Sequence, residues 1–95
     1  MNIEDLHPGV RKVELEANIV QMEEAKKINT KYGQTKVANA TIEDDTDKIK
    51  LVLWGDNTEK VSEGDKIKIS NGYVKEYKGE PQVSVGKYGT IEKID

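Results

Sequence analysis

The stretch KIKLVLWGD, residues 48–56, alternates apolar and other side chains in the way that a half-buried β-strand requires. Successive side chains of a strand point to opposite faces, so Ile49, Leu51 and Leu53 share one face. These three aliphatic residues predict the core face of the strand. Trp54 is the only Trp of the chain. It points away from the predicted core and follows a lysine on the same face, which makes it a candidate binding residue.

Similar alternation recurs on both sides of this stretch. Four further strands are predicted, separated by turn signals, at residues 13–22, 35–42, 66–77 and 82–86. The segment 23–34 is polar and predicts a loop, and Ile91 and Ile94 continue the apolar pattern towards the end. Residues 57–64 predict one or two helical turns, with Asn57 or Thr58 as the N-cap and Gly64 at the end.

This order, three strands, a short helical linker and two strands, predicts an all-β fold. It matches the OB-fold, a five-stranded Greek key barrel whose second and third strands bind oligonucleotides or oligosaccharides. The helical linker falls between the third and fourth strands. The alternation alone fits an SH3-like barrel almost as well.

Length and composition limit the possible functions. A chain of 95 residues predicts a single domain over residues 1–95. Hydrophobic and charged residues each make up 35% of the chain, which is typical of an ordered, soluble protein. The sequence contains no Cys, no membrane-spanning run and no signal-peptide pattern, so we expect a cytoplasmic setting.

The charges are unevenly distributed along the chain. The net charge is −3, which argues against a generally basic nucleic-acid binder. Eight acidic residues lie within residues 43–65, whereas residues 66–87 hold five lysines and two glutamates. We expect the acidic block to lie away from any groove that binds an anion.

No catalytic or metal-binding pattern is present. His7 is the only His and follows no ligand spacing, and the Asp44, Asp45 and Asp47 cluster lacks the Gly and the spaced Glu of an EF-hand. The GKYG stretch at residues 86–89 follows a strand, so it predicts a turn rather than the clamp of a KH domain. We therefore expect neither an enzyme nor a cofactor or metal.

Three phrases together resemble one family. They are IEDLHPG at residues 3–9, KVANATIEDDTDKIKLVLWGD at 36–56, and VSEGDKIKISNGYVKEYKGEPQVSVGKYGTI at 61–91. The chain resembles the archaeal single-stranded DNA-binding proteins of the replication protein A type. In that family the acidic turn often has Gly where this chain has Asp47, and Tyr73 and Tyr77 stand where other members often carry Trp or Phe. The resemblance implies OB-fold domains, one or several per chain, that bind single-stranded DNA.

Aromatic rings that stack on bases and lysines that pair with phosphates would form such a site. The candidate residues for nucleic-acid binding are Trp54, Tyr73, Tyr77, Lys36, Lys50, Lys75, Lys78, Lys87 and Tyr32. Tyr73 and Tyr77 present a difficulty, because in a regular strand both would point to the core side with Ile67 and Ile69. A bulge at Asn71-Gly72 would move both tyrosines to the other face, and Gly inside a strand often marks a bulge.

Two functions of different classes fit the sequence. The first is sequence-tolerant binding of single-stranded DNA in replication, repair or recombination. The second is an OB-fold assembly module that joins partner subunits and binds nucleic acid weakly or not at all. RNA is a possible ligand in the first case, since stacking and phosphate contacts do not read the 2′-hydroxyl. The chain could also be one domain of a longer protein.

Overall fold

The computed structural model describes residues 1–86 and 88–94. A 3-10 turn at Ile3–Asp5 precedes the first strand. Seven strands and one short helix follow: β1 (Arg11–Met22), β2 (Lys26–Thr30), β3 (Gly33–Glu43), β4 (Lys48–Trp54), α1 (Asn57–Lys60), β5 (Lys66–Tyr77), β6 (Glu80–Ser84) and β7 (Thr90–Ile94). No helix in the described ranges is long and apolar enough to cross a membrane.

Five of the strands form a closed ring. β3 lies between β1 and β4, β4 pairs in parallel with β6, and β6 pairs with β5. The β1–β5 pairing closes the ring, while β2 extends from β3 and β7 pairs with β5. The order of the ring strands and the helix between β4 and β5 confirm the predicted fold.

The core is aliphatic and lies inside this ring. Alternate residues of β1 and β3 are buried, and so are Ile49, Leu51 and Leu53 of β4, as the sequence predicted. Val52, on the other face of β4, is buried as well. Burying an aliphatic side chain of this size stabilises a fold by roughly 1.5–3 kcal/mol. The largest fully buried side chains are Ile19, Ile42, Leu51, Leu53, Ile67, Ile69, Ile91, Val13 and Val83.

β5 contains the bulge that the sequence suggested. Val13 pairs with Gly72 and Leu15 pairs with Ile69, so the β1–β5 register shifts between these two pairs. Asn71 has a φ of 54°, a left-handed conformation that Asn tolerates better than most residues. After the bulge the buried positions change from odd to even numbers, so Tyr73 is on the outer face of β5.

Three local predictions were wrong or incomplete. Residues 26–30, predicted as part of a loop, form β2, which pairs along its whole length with β3. The helix is a single turn, its N-cap is Asp56, and Thr58 instead donates its hydroxyl to the Gly55 carbonyl oxygen. The apolar residues near the C-terminus belong to a separate strand, β7.

The turn between β3 and β4 holds the N-terminal segment against the ring. Asp44 accepts a hydrogen bond of 2.8 Å from the Ile3 N–H, and Ile3 is buried in the core cluster. Burial alone would raise the pKa of Asp44. The hydrogen bonds from the Thr46 hydroxyl and from the N–H groups of Ile3, Thr46 and Asp47 outweigh it and lower this pKa to about 2.

Candidate functional site

The outer surface of β3, β4, β6 and β5 forms one continuous face, here called the outer face. Paired residues of neighbouring strands point to the same side of a sheet. Val52 pairs with Asn39 on one side and Ser84 on the other, and Ser84 pairs with Tyr73. A second row, formed in the same way, is Thr41, Lys50, Gln82 and Lys75. The bulge in β5 thus brings Tyr73 onto the same face as Lys50.

Trp54 and Tyr73 line one open groove at the end of this face. The groove is completed by Asn57, Val85 and Gly86. The Trp54 side chain is 42% exposed, although it is the largest apolar side chain of the chain. A Cβ atom on Gly86 would lie 3.1 Å from Cε1 of Tyr73, so the glycine lets the tyrosine ring lie close to the backbone. Both rings therefore border the same open groove.

The other predicted residues of β5 continue the site along the strand. Tyr77 is 58% exposed and lies four residues beyond Tyr73, on the same side of the strand. The ammonium of Lys75 lies 5.4 Å from the centre of the Tyr73 ring, and that of Lys78 lies 5.4 Å from the centre of the Tyr77 ring. Such cation–π contacts are weak at exposed positions, of order 0.5–1 kcal/mol, so a ligand can displace the lysines.

Lys50 and Lys36 both have acidic partners. Lys50 is on the outer face, and its ammonium lies 3.7 Å from a carboxylate oxygen of Glu80. Lys36 is on the opposite side of β3 from Val37, the residue that pairs with Trp54. Its ammonium donates a 2.6 Å hydrogen bond to Glu59 of α1.

The Lys36–Glu59 pair changes the pKa of both groups. The hydrogen bond and the attraction between the charges raise the pKa of Lys36 and lower that of Glu59. The expected acidic block at residues 43–65 is therefore divided in the structure. Asp44 holds the N-terminal turn, whereas Glu59 lies on the helix whose Asn57 lines the Trp54 groove. The helix brings negative charge closer to the groove than the sequence suggested.

Tyr32, like Lys36, lies away from the outer face. Tyr32 is at the tip of the β2–β3 hairpin, 89% exposed, with the Lys31 ammonium 5.1 Å from its ring centre. The structure does not bring it into the groove of Trp54 and Tyr73. Lys87 falls outside the described residues. The set that the fold gathers on the outer face is therefore Trp54, Tyr73, Tyr77, Lys50 and Lys75.

The sequence analysis missed several residues beside this face. Lys26 of β2 pairs with Val37, which pairs with Trp54, so a lysine continues the row that contains the Trp. Arg11 pairs with Tyr73, and Arg11 and Tyr88 line a second cavity next to it. Arg11 is the only Arg of the chain, a signal that was available in the sequence.

Comparison with known proteins gives consistent results. A family described as "OB-fold nucleic acid binding domain" matches residues 13–91. The single-stranded DNA binding protein Ssb of Saccharolobus solfataricus is 32% identical over 82 residues, which cover 86% of this chain and 55% of that protein. This chain therefore spans about half of the length of that curated relative.

Solved structures share the fold over the full chain. The second OB-fold domain of replication protein A from Methanococcus maripaludis has a TM-score of 0.83 at 27% identity, covering 100% of this chain and 94% of that one. The replication factor A related protein from Methanobacterium thermoautotrophicum has a TM-score of 0.82 at 25% identity, covering 100% and 90%. Both neighbours are archaeal.

Proposed function

Since the chain belongs to the family of OB-fold nucleic acid binding domains, we propose that it binds single-stranded DNA with little sequence preference. In this proposal bases stack on Trp54, Tyr73 and Tyr77, and phosphates pair with lysines around them. The process served is replication, repair or recombination, and no bond is made or broken. The single-stranded DNA-binding relative supports DNA as the ligand.

One observation carries this proposal: none of the aromatic residues of the chain belongs to the core. The chain has one Trp, four Tyr and no Phe. Trp54, Tyr77, Tyr32 and Tyr88 are exposed, and Tyr73 is half-buried in the groove wall. Large rings usually contribute to protein cores, because they bury much apolar surface. A chain that fills its core with aliphatic residues and leaves its rings outside keeps those rings accessible to another molecule, which supports a role in binding.

The lysines near these rings suit the phosphates of a flexible strand. The ammonium groups of Lys75 and Lys78 lie over tyrosine rings, so each cation is next to a surface on which a base can stack. A stacked base is worth roughly 1–3 kcal/mol and any base will serve, because every base has a π face. Such a site reads neither sequence nor the 2′-hydroxyl, so single-stranded RNA is an alternative ligand, and the preference for DNA rests on the single-stranded DNA-binding relative.

Titration with an oligonucleotide tests the proposal directly. Trp54 is the only Trp, so its fluorescence reports on the groove alone. Saturating oligo-dT should quench the emission by stacking, and double-stranded DNA of equal length should quench it much less. If the emission stays unchanged while another method detects binding, Trp54 lies outside the site and the proposed stacking mode is wrong.

A second candidate function is supported by the acidic partners of the lysines. Glu80 and Glu59 neutralise Lys50 and Lys36, and the chain as a whole carries a net charge of −3. An OB module that assembles with the subunits of a replication complex would tolerate this loss of positive charge. Under that alternative, single-stranded DNA would neither bind at micromolar protein concentrations nor quench Trp54, whereas a partner subunit would bind.

A further inference from the structure

A second cavity, larger than the Trp54 groove, opens on the other side of Tyr73. It has a volume of about 650 Å³ and is enclosed by the start of β1, the bulge of β5 and the segment after β6. Tyr73 and Gly86 line both cavities, so the two are neighbours along the surface. A strand that stacks on Trp54 and Tyr73 would enter this cavity with its next nucleotide.

Two irregularities of the backbone create the cavity. Lys12 and Asn71 have φ values of 55° and 54°, and both residues line it. They fall where the β1–β5 ladder loses its register, on either side of the Val13–Gly72 pair. A left-handed lysine costs about 1 kcal/mol, and such strain is retained mainly at sites of function.

The bulge of β5 also holds the cavity wall that contains Tyr88. The Asn71 N–H donates to a carboxylate oxygen of Glu14, and the Asn71 side chain donates a 3.4 Å hydrogen bond to the Tyr88 carbonyl oxygen. These contacts tie the segment that carries Tyr88 to β5, and the Tyr88 side chain remains 82% exposed. Tyr88 and Tyr73 are the two rings in the cavity lining.

Two glycines allow the close packing of the cavity wall. A Cβ atom on Gly89 would lie 2.7 Å from the Asn71 carbonyl oxygen, and one on Gly72 would lie 2.9 Å from the Ile69 side chain. Neither position accepts a side chain without a shift of its neighbours. The two glycines therefore let the bulge and the segment that carries Tyr88 pack closely, which fixes the shape of the cavity.

The charge of this cavity differs from that of the Trp54 groove. Arg11, Lys12 and Lys75 line it, and the described lining residues include no carboxylate. None of the ion pairs among the described residues involves Arg11 or Lys12. The guanidinium of Arg11 can hold a phosphate through two parallel hydrogen bonds. Rings and unpaired cations in one concavity suit a ligand with both a base and a phosphate.

We propose that this cavity is a further nucleotide subsite, in which Tyr88 stacks on a base and Arg11 binds the adjoining phosphate. It extends the strand-binding site past Tyr73. The inference deepens the proposed function and rests on it, because the occupant is the next nucleotide of a strand already held at Trp54. A free nucleoside monophosphate has the same chemistry, and only the linkage to the strand distinguishes the two.

The test compares oligo-dT of about three nucleotides with oligo-dT of about eight, since an OB-fold covers roughly 4–16 nucleotides. Tyr88→Ala should lower the affinity for the longer strand at least about fivefold, the lower limit for one lost stacking contact. Arg11→Gln should also lower this affinity, because it removes a charged partner of a phosphate. Both variants should bind the shorter strand as the unmodified protein does. Arg11→Gln should also reduce the slope of log affinity against log salt by about 0.7 for the longer strand.

Lys68→Gln is the matched control, because it removes one exposed cation from the same strand pair at its other end, where Lys68 pairs with Glu16. It should change neither affinity. Equal affinities of all variants for the longer strand would overturn the subsite, as would an equal loss for both lengths. If thymidine monophosphate binds the protein as tightly as the longer oligo-dT does, the cavity is a site for free nucleotides instead. If the unmodified protein binds neither strand, the proposed function itself fails.

Discussion

Trp54 and Tyr73 reach the same groove by different routes, and the difference shows what single residues decide. Trp54 is on the outer face because β4 is regular and Trp54 lies four residues after Lys50, on the same side of the strand. Tyr73 is outside only because Asn71, two residues earlier, adopts a left-handed conformation that shifts the strand by one position. The Asn71-Gly72 pair made a bulge predictable, since the two residues favour positive φ and close packing, respectively.

Stacking and folding should separate at Trp54 and Leu51. Trp54→Ala should weaken binding of single-stranded DNA by about 1–3 kcal/mol, roughly 5- to 150-fold, because it removes a base platform. Its cost in stability should be well below the 3–5 kcal/mol of an emptied aromatic core site. Leu51→Ala empties a fully buried position and should cost about 2–5 kcal/mol in stability, with near-normal affinity of the folded fraction.

Each of these two variants needs a urea melt followed by circular dichroism and a binding isotherm. The opposite result, an unfolded Trp54→Ala protein whose folded fraction binds normally, would mean that the Trp stabilises the fold and contributes nothing to the site.

At the scale of elements, the sequence predicted the strands that bury a face and missed the one that buries almost nothing. Alternating aliphatic residues made β1, β3 and β4 predictable from the sequence. β2 has a single aliphatic residue, Ile28, and is held by backbone pairing with β3, which leaves no signal in the side chains. The larger cavity beside Tyr73 could not be predicted either. It forms only because irregularities of two different strands, at Lys12 and at Asn71, lie next to each other in the fold.

The acidic turn before β4 should make stability depend on pH. The folded pKa of Asp44 is about 2, below its ordinary value of 3.8. The ionised carboxylate therefore stabilises the fold fully above about pH 4, and this contribution is lost as the pH falls from about 4 to about 2. Asp44→Asn should leave the Ile3 N–H without an acceptor and cost about 1–3 kcal/mol near neutral pH.

Urea melts of the unmodified protein and the Asp44→Asn variant at several pH values measure this. The difference between the two should shrink between about pH 4 and pH 2. Asp45→Asn is the control, because Asp45 is exposed and its carboxylate makes no hydrogen bond to the described residues. A constant difference across this pH range would show that the charge of Asp44 is not what holds the N-terminal turn.

At the scale of the whole molecule, acidic and basic side chains line different cavities. Glu14, Glu16, Asp44 and Asp45 line a cavity apart from the two beside Tyr73. The cations Arg11, Lys12 and Lys75 line the larger cavity beside Tyr73, and none of the three has a carboxylate partner among the described residues. A net charge of −3 therefore conceals a locally basic groove, which the total charge could not predict.

Salt should weaken binding to a moderate degree. Three or four cations in contact with phosphates give a log–log slope of roughly −2 to −3 for single-stranded DNA, at about −0.7 per neutralised phosphate. The slope is obtained from Trp54 quenching at a series of salt concentrations. A slope near zero would favour the assembly module over the DNA-binding domain.

The aliphatic core has a consequence for magnetic resonance. Aromatic side chains shift the resonances of protons above their faces. The core enclosed by the β-strands contains no aromatic side chain. The methyl protons of Ile19, Ile42 and Leu51 should therefore resonate close to the positions that an unfolded chain gives them. Bound bases would add ring currents only near the outer face. Shifts of methyl resonances would therefore locate bound DNA on that face, whereas the dispersion of the core methyl resonances would be a poor measure of folding.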